Sequence, residues 1–121
     1  MPEKKIILIA DDDLDVLEST QYMLLEEGYD VITANNGEEA INAYKIHNPG
    51  IVLLDIRMPI MDGYGAFFSI KKYDPDAKIV FITAFSVDSQ KAEKAKEMGL
   101  LDLLQKPIEF EKIIEIIQKY Y

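Results

Sequence analysis

The chain has no cysteine, which excludes a disulfide framework and any thiolate metal site. That absence fits a reducing compartment, and the expected location is the cytoplasm. It has one histidine, so no imidazole pair is on hand to bind a transition metal. Basic residues are scarce: 13 Lys and Arg stand against 22 Asp and Glu, for a net charge of -9. Nucleic acid and anionic membrane are both repelled by such a surface, so neither is an expected direct partner. No apolar run is long enough for a membrane span, and the basic-then-apolar start "MPEKKIILIA" is too short for a signal peptide. Repeats, low-complexity tracts and linkers are missing too, which leaves residues 1–121 as one expected domain. A chain of 121 residues that is 49% apolar is enough for a real core.

What is present is a regular alternation. Three nearly continuous apolar runs, "KKIILIA" (4–10), "IVLLDI" (51–56) and "KIVFITA" (78–84), read as strands covered on both faces. "DVITA" (30–34) and "LDLL" (101–104) are weaker strand candidates. Helical periods fill the gaps. Leu14, Leu17, Leu24 and Leu25 form one stripe that ends at Gly28. Residues 37–48 carry Ala40, Ile41 and Tyr44 before Pro49. A third helix is expected over 64–73, with Phe67, Phe68 and Ile70 in the core. Residues 88–99 are polar apart from Ala92, Ala95 and Met98, so that helix should be thinly buried. Phe110, Ile113, Ile114, Ile117 and Tyr121 give the last helix its apolar face. Five β-α units imply an α/β fold: a parallel sheet with right-handed crossovers and helices on both sides. Ligands in such folds bind outside the carboxyl ends of the strands.

Those ends carry chemistry. The first strand stops in Asp11, Asp12 and Asp13, the third in Asp55, the fourth in Thr83, and the fifth leads to Lys106. Carboxylates crowded at one sheet edge repel one another unless a cation neutralises them. Oxygen donors without Cys or His favour a hard ion, and sparse carboxylates with open positions suit Mg²⁺. One carboxylate beside such an ion, an ammonium and a hydroxyl can attack a phosphoryl group. Asp55 is the best nucleophile because it stands alone at the central strand's end. Asp11 and Asp12 are better placed for metal.

The motifs "LIADDD", "LLDIRMPIMDG", "FITA" and "LLQKP", in that order, resemble the receiver domain of two-component response regulators, a CheY-like family, over the whole chain. The resemblance implies a flavodoxin-like (βα)5 fold of strand order 2-1-3-4-5. It implies that Asp55 accepts a phosphoryl group from the phosphohistidine of a histidine kinase or phosphotransfer protein. Asp11 and Asp12 would hold Mg²⁺ with Asp55, Asp12 directly, and the Arg57 backbone carbonyl would be a further ligand. Thr83, Ala84 and Lys106 would form the phosphoryl-binding set, and Lys106–Pro107 would be a cis peptide. Such a domain signals by changing its binding partners and is no enzyme beyond its own phosphorylation and dephosphorylation. Nothing follows Tyr121 to carry an output, so a separate downstream protein or a missing output domain is expected. One position departs from the family: Leu103 stands where an aromatic switch residue is usual, and a leucine has no ring to reorient.

Other readings compete. A haloacid-dehalogenase-like phosphohydrolase also uses an aspartate and Mg²⁺, with Asp11 as nucleophile in a D-x-D pattern. That pattern wants Thr or Val where Asp15 stands, and the chain is short for a cap domain. A pseudo-receiver would have a broken acidic cluster, which is intact here. A Ca²⁺ loop starting at Asp11 needs Gly and Glu where Val16 and Tyr22 stand. Asp13 has an ordinary explanation as a helix N-cap, Asp62–Gly63 as a turn, and His47 as a surface residue.

Overall fold

The computed structural model describes residues 5–84 and 87–121. Elements alternate in the expected order: β1 (Ile6–Ala10), α1 (Leu14–Glu26), β2 (Asp30–Ala34), α2 (Gly37–His47), β3 (Ile51–Asp55), α3 (Gly63–Tyr73), β4 (Ile79–Thr83), α4 (Ser89–Glu97), β5 (Asp102–Gln105) and α5 (Phe110–Tyr120). All pairings are parallel and the strand order is β2-β1-β3-β4-β5. Of the strand expected over 4–10, Lys4 lies outside the described residues. The other boundaries move by one or two residues, the usual scatter of element ends.

Strand side chains alternate between two cores. Ile7, Ile9, Ile51, Leu53 and Val80 pack under α1 and α5 with Leu17, Leu24 and Ile117. Leu8, Ala10, Val52, Leu54 and Phe81 pack on the other face with Tyr44, Phe67 and Ile70 of α2 and α3. Because both sheet faces are covered, every residue of β3 is buried, which explains its unbroken apolar run.

The first-helix stripe needs correcting. Leu17 and Leu24 are buried as expected, but Leu14 is 64% and Leu25 48% exposed. At 100° per residue the buried arc is centred on Leu17, Leu24 and Thr20, which places Leu14 and Leu25 at its outer edge. In α5, Ile116 joins Ile113 and Ile117 in the core, whereas Phe110 and Ile114 are half-buried.

The residue that caps the last helix, Tyr121, returns its side chain to the bottom of the sheet. The Tyr121 hydroxyl accepts the Ile6 N–H at 2.7 Å, and its ring lies against Gly50, where a Cβ would overlap it. Gly50 in turn donates its N–H to the Ile6 carbonyl at 2.9 Å. Tyr121→Ala is therefore expected to cost about 2 kcal/mol, part ring packing and part a stranded donor, while Tyr121→Phe costs about 1 kcal/mol. Urea denaturation of the two variants checks both the size and the order.

Candidate functional site

The strand order reverses between β1 and β3, so their carboxyl ends open a crevice. Register sets the residues around it: Ala10 lies opposite Leu54, bringing Asp11 beside Asp55, and Thr83 lies opposite Gln105, one residue before Lys106. The Lys106 N–H donates to the Thr83 carbonyl at 2.8 Å, and the Lys106–Pro107 peptide is cis, as the resemblance implied.

Lys106 Nζ donates to Asp11 Oδ2 at 2.8 Å and to Asp55 Oδ2 at 3.0 Å. The remaining oxygens serve the backbone. Asp11 Oδ1 accepts the Asp13 N–H at 3.0 Å, and Asp55 Oδ1 accepts the Arg57 N–H at 3.3 Å. Asp11 and Asp55 are buried, Asp12 is exposed, and carboxylate oxygens of the three lie within 4.8 Å of one another. Three carboxylates against one ammonium leave a surplus of two negative charges. With oxygen as the only donor element, that set fits a hard divalent ion such as Mg²⁺.

Burial pushes the Asp55 carboxyl up from 3.8 to about 6; the Lys106 hydrogen bond opposes this and the Asp11 charge reinforces it. For Lys106, burial pulls the ammonium down, but its bonds to Asp11 and Asp55 prevail and its pKa is raised. Lys106 therefore stays charged at neutral pH, and Asp55 is an ionised carboxylate held at a cost.

The crevice is a cleft of about 730 Å³, lined by Asp11, Asp12, Asp55, Arg57, Ala84 and Lys106 among others. The expected metal and phosphoryl residues thus share one cleft, with Thr83 fully buried at the end of β4 beside it. Asp13 does what its ordinary reading said: it N-caps α1, its carboxylate accepting the Asp15 and Val16 N–H groups. Asp62 likewise caps α3 through the Gly65 N–H. His47 ends α2 and is exposed.

Three features went unread in the sequence. Tyr64 and Asp88 also line the cleft, hidden because each reads only as the first residue of an expected helix, 64–73 and 88–99. Ile60 has φ of 69° and is 77% exposed, a conformation unusual for a β-branched side chain. Gly63 is required by close approach: its N–H donates to the Ile56 carbonyl at 2.7 Å, and a Cβ would run into the Asp55 and Ile56 backbone. The signal for it was present in "MDG", which reads as a turn without revealing the contact.

Comparison with known proteins converges on one family. The family model described as "Response regulator receiver domain" matches residues 7–118. The chain is 35% identical over 114 residues to chemotaxis protein CheY of Bacillus subtilis, covering 93% of this chain and 94% of that protein. It is 36% identical over 104 residues to a probable transcriptional regulator, ycf27, of Cyanophora paradoxa. There the match covers 86% of this chain but only 43% of the relative. Among solved structures, the CheX–CheY–BeF3–Mg complex of Borrelia burgdorferi superposes with a TM-score of 0.85 at 31% identity. That match covers 95% of this chain and 87% of the solved one.

Proposed function

The chain belongs to the response regulator receiver family, the phospho-acceptor signalling domains of two-component systems, and we propose that Asp55 is its acceptor. The observation that carries this reading is the buried Asp55 carboxylate, bonded by Lys106 and crowded by Asp11 and Asp12. One Asp55 oxygen attacks the phosphorus of a phosphohistidine; the new O–P bond forms as the P–N bond to the donor imidazole breaks. Lys106 is poised to exchange its Asp55 contact for an oxygen of the arriving phosphoryl group. Thr83 and Ala84 complete the phosphoryl-binding set at the end of β4. Asp11, Asp12, Asp55 and the Arg57 carbonyl would hold Mg²⁺, which supplies positive charge against the phosphoryl oxygens.

The donor is a histidine kinase or a histidine phosphotransfer protein, since His47 lies at the end of α2 and not in the cleft. The recipient of the signal is a downstream protein or an output domain, as the full-length match to CheY and the partial match to ycf27 both allow. The unit works as a single domain, turns over no substrate but its own aspartyl phosphate, and contacts neither nucleic acid nor membrane. No helix among the described residues is long and apolar enough to cross a membrane. The assignment of the domain to the cytoplasm rests on its likeness to the CheY relatives.

Incubation with Mg²⁺ and acetyl phosphate, followed by peptide mapping in a mass spectrometer, tests the assignment. One phosphoryl group is expected on Asp55. Label on Asp11 would move the chemistry to the first strand, as in the phosphohydrolase reading, and overturn it.

A further inference from the structure

Tyr64 joins three elements around the cleft. It is the second residue of α3, buried to 6% exposure, directly after the close approach of Gly63 to the end of β3. Its hydroxyl accepts the Asp88 N–H at 2.9 Å. Asp88 is the N-cap of α4, its carboxylate holding the Gln90 and Lys91 N–H groups at 3.0 and 3.1 Å. The Tyr64 ring packs edge-on against Phe81 of β4 at 5.4 Å, and Lys91 Nζ lies 5.4 Å from its centre. One side chain thus touches both β4 and the start of α4, the two ends of the connection that leaves the phosphorylation site.

We propose that the Tyr64 hydroxyl is a latch: it pins the start of α4 in the arrangement that goes with a free Asp55 carboxylate and yields when Asp55 is phosphorylated. The inference rests on the receiver reading above. Lys106 donates to the Asp55 Oδ2, a contact for which a phosphoryl group on Asp55 would compete. A phosphoryl dianion on Asp55 draws the end of β4, Thr83 and Ala84, towards it. Asp88 follows Thr83 by only five residues, and its N–H is held by a hydroxyl fixed to the end of β3. Pulling one end of so short a connection works against the pin at the other. Tyr64 is therefore a positioning residue. It touches no reacting atom and acts through the Asp88 backbone.

Tyr64→Phe deletes the hydroxyl and keeps the ring contacts. With Mg²⁺ saturating, this variant is expected to bind BeF3⁻ about fivefold more tightly than the native chain, the effect of releasing one ordinary hydrogen bond. Amide exchange at Asp88 supplies a readout that a merely structural role would not give. It should quicken in the free variant relative to the native protein and be the same in both once BeF3⁻ is bound. Equal or weaker BeF3⁻ binding by Tyr64→Phe, or faster Asp88 exchange in both states, would overturn the latch. A native chain that binds no BeF3⁻ would instead sink the receiver reading, so the two failures are distinguishable.

Discussion

In Asp55→Asn, phosphoryl uptake from acetyl phosphate is expected to vanish while the metal-free protein becomes harder to unfold. An amide has no anionic oxygen to attack phosphorus, so the loss of labelling is complete rather than partial. The gain in stability follows from the carboxylate's surroundings. A group pushed from 3.8 to about 6 is ionised at neutral pH at a cost of about 3 kcal/mol relative to the unfolded chain. Asparagine removes that charge at nearly constant volume and leaves Lys106 paired with Asp11. That cost is already net of the opposing Lys106 contact, so the gain is on the order of 1–3 kcal/mol. Thermal unfolding in EDTA reads the stability, and mass spectrometry reads the label. A variant that labels as well as the native chain, or melts lower than it in EDTA, contradicts this account of the site.

Magnesium should give the second large effect. An ion that binds only the folded state adds about 2.7 kcal/mol at one hundred times its dissociation constant. Here it would also relieve the repulsion among Asp11, Asp12 and Asp55 that folding enforces. Asp12→Ala is the informative variant because its side chain is exposed, so its removal disturbs no packing. It should lose most of the magnesium-dependent rise in thermal midpoint and match or slightly exceed the native protein in EDTA. Equal midpoints for the native chain in EDTA and in millimolar Mg²⁺ would refute the metal assignment.

The architecture was readable because each covered strand is an unbroken apolar run and each turn carries a local stop signal, as at Gly28 and Asn48–Pro49. The crevice residues were readable because polar groups directly after such runs have few reasons to be there. Side-chain partition was less legible. Leu14 and Leu25 look like core residues until the helix is rotated onto the sheet, and Thr20 buries in their place. Tyr64 was invisible as a cleft residue because its role depends on Asp88, which lies 24 residues away in the chain. The Lys106 bridge shows the opposite case: three separate strand ends pointed at one spot, and the structure joins them there.

Leu103 illustrates a consequence for signalling. It lies half-buried in β5 against the α2–α3 core, its N–H accepted by the Asp102 carboxylate at 2.8 Å. With no ring to reorient there, the response to phosphorylation is expected at the start of α4, next to Tyr64 and the connection over residues 84–87. Of that connection, Phe85 and Ser86 lie outside the described residues.

The separation of the two cores by the sheet bears on how such a chain diversifies. Phe67, Phe81 and Tyr64 belong to one packing unit, while Leu24, Ile113 and Ile117 belong to the other, and the strands contribute alternate residues to each. A substitution in one unit is felt by neighbours on its own side and only weakly through the shared backbone. The two outer surfaces are therefore free to acquire changes independently. One face can adapt to a new signalling partner while the other keeps an old one, without the whole interior having to be rebuilt.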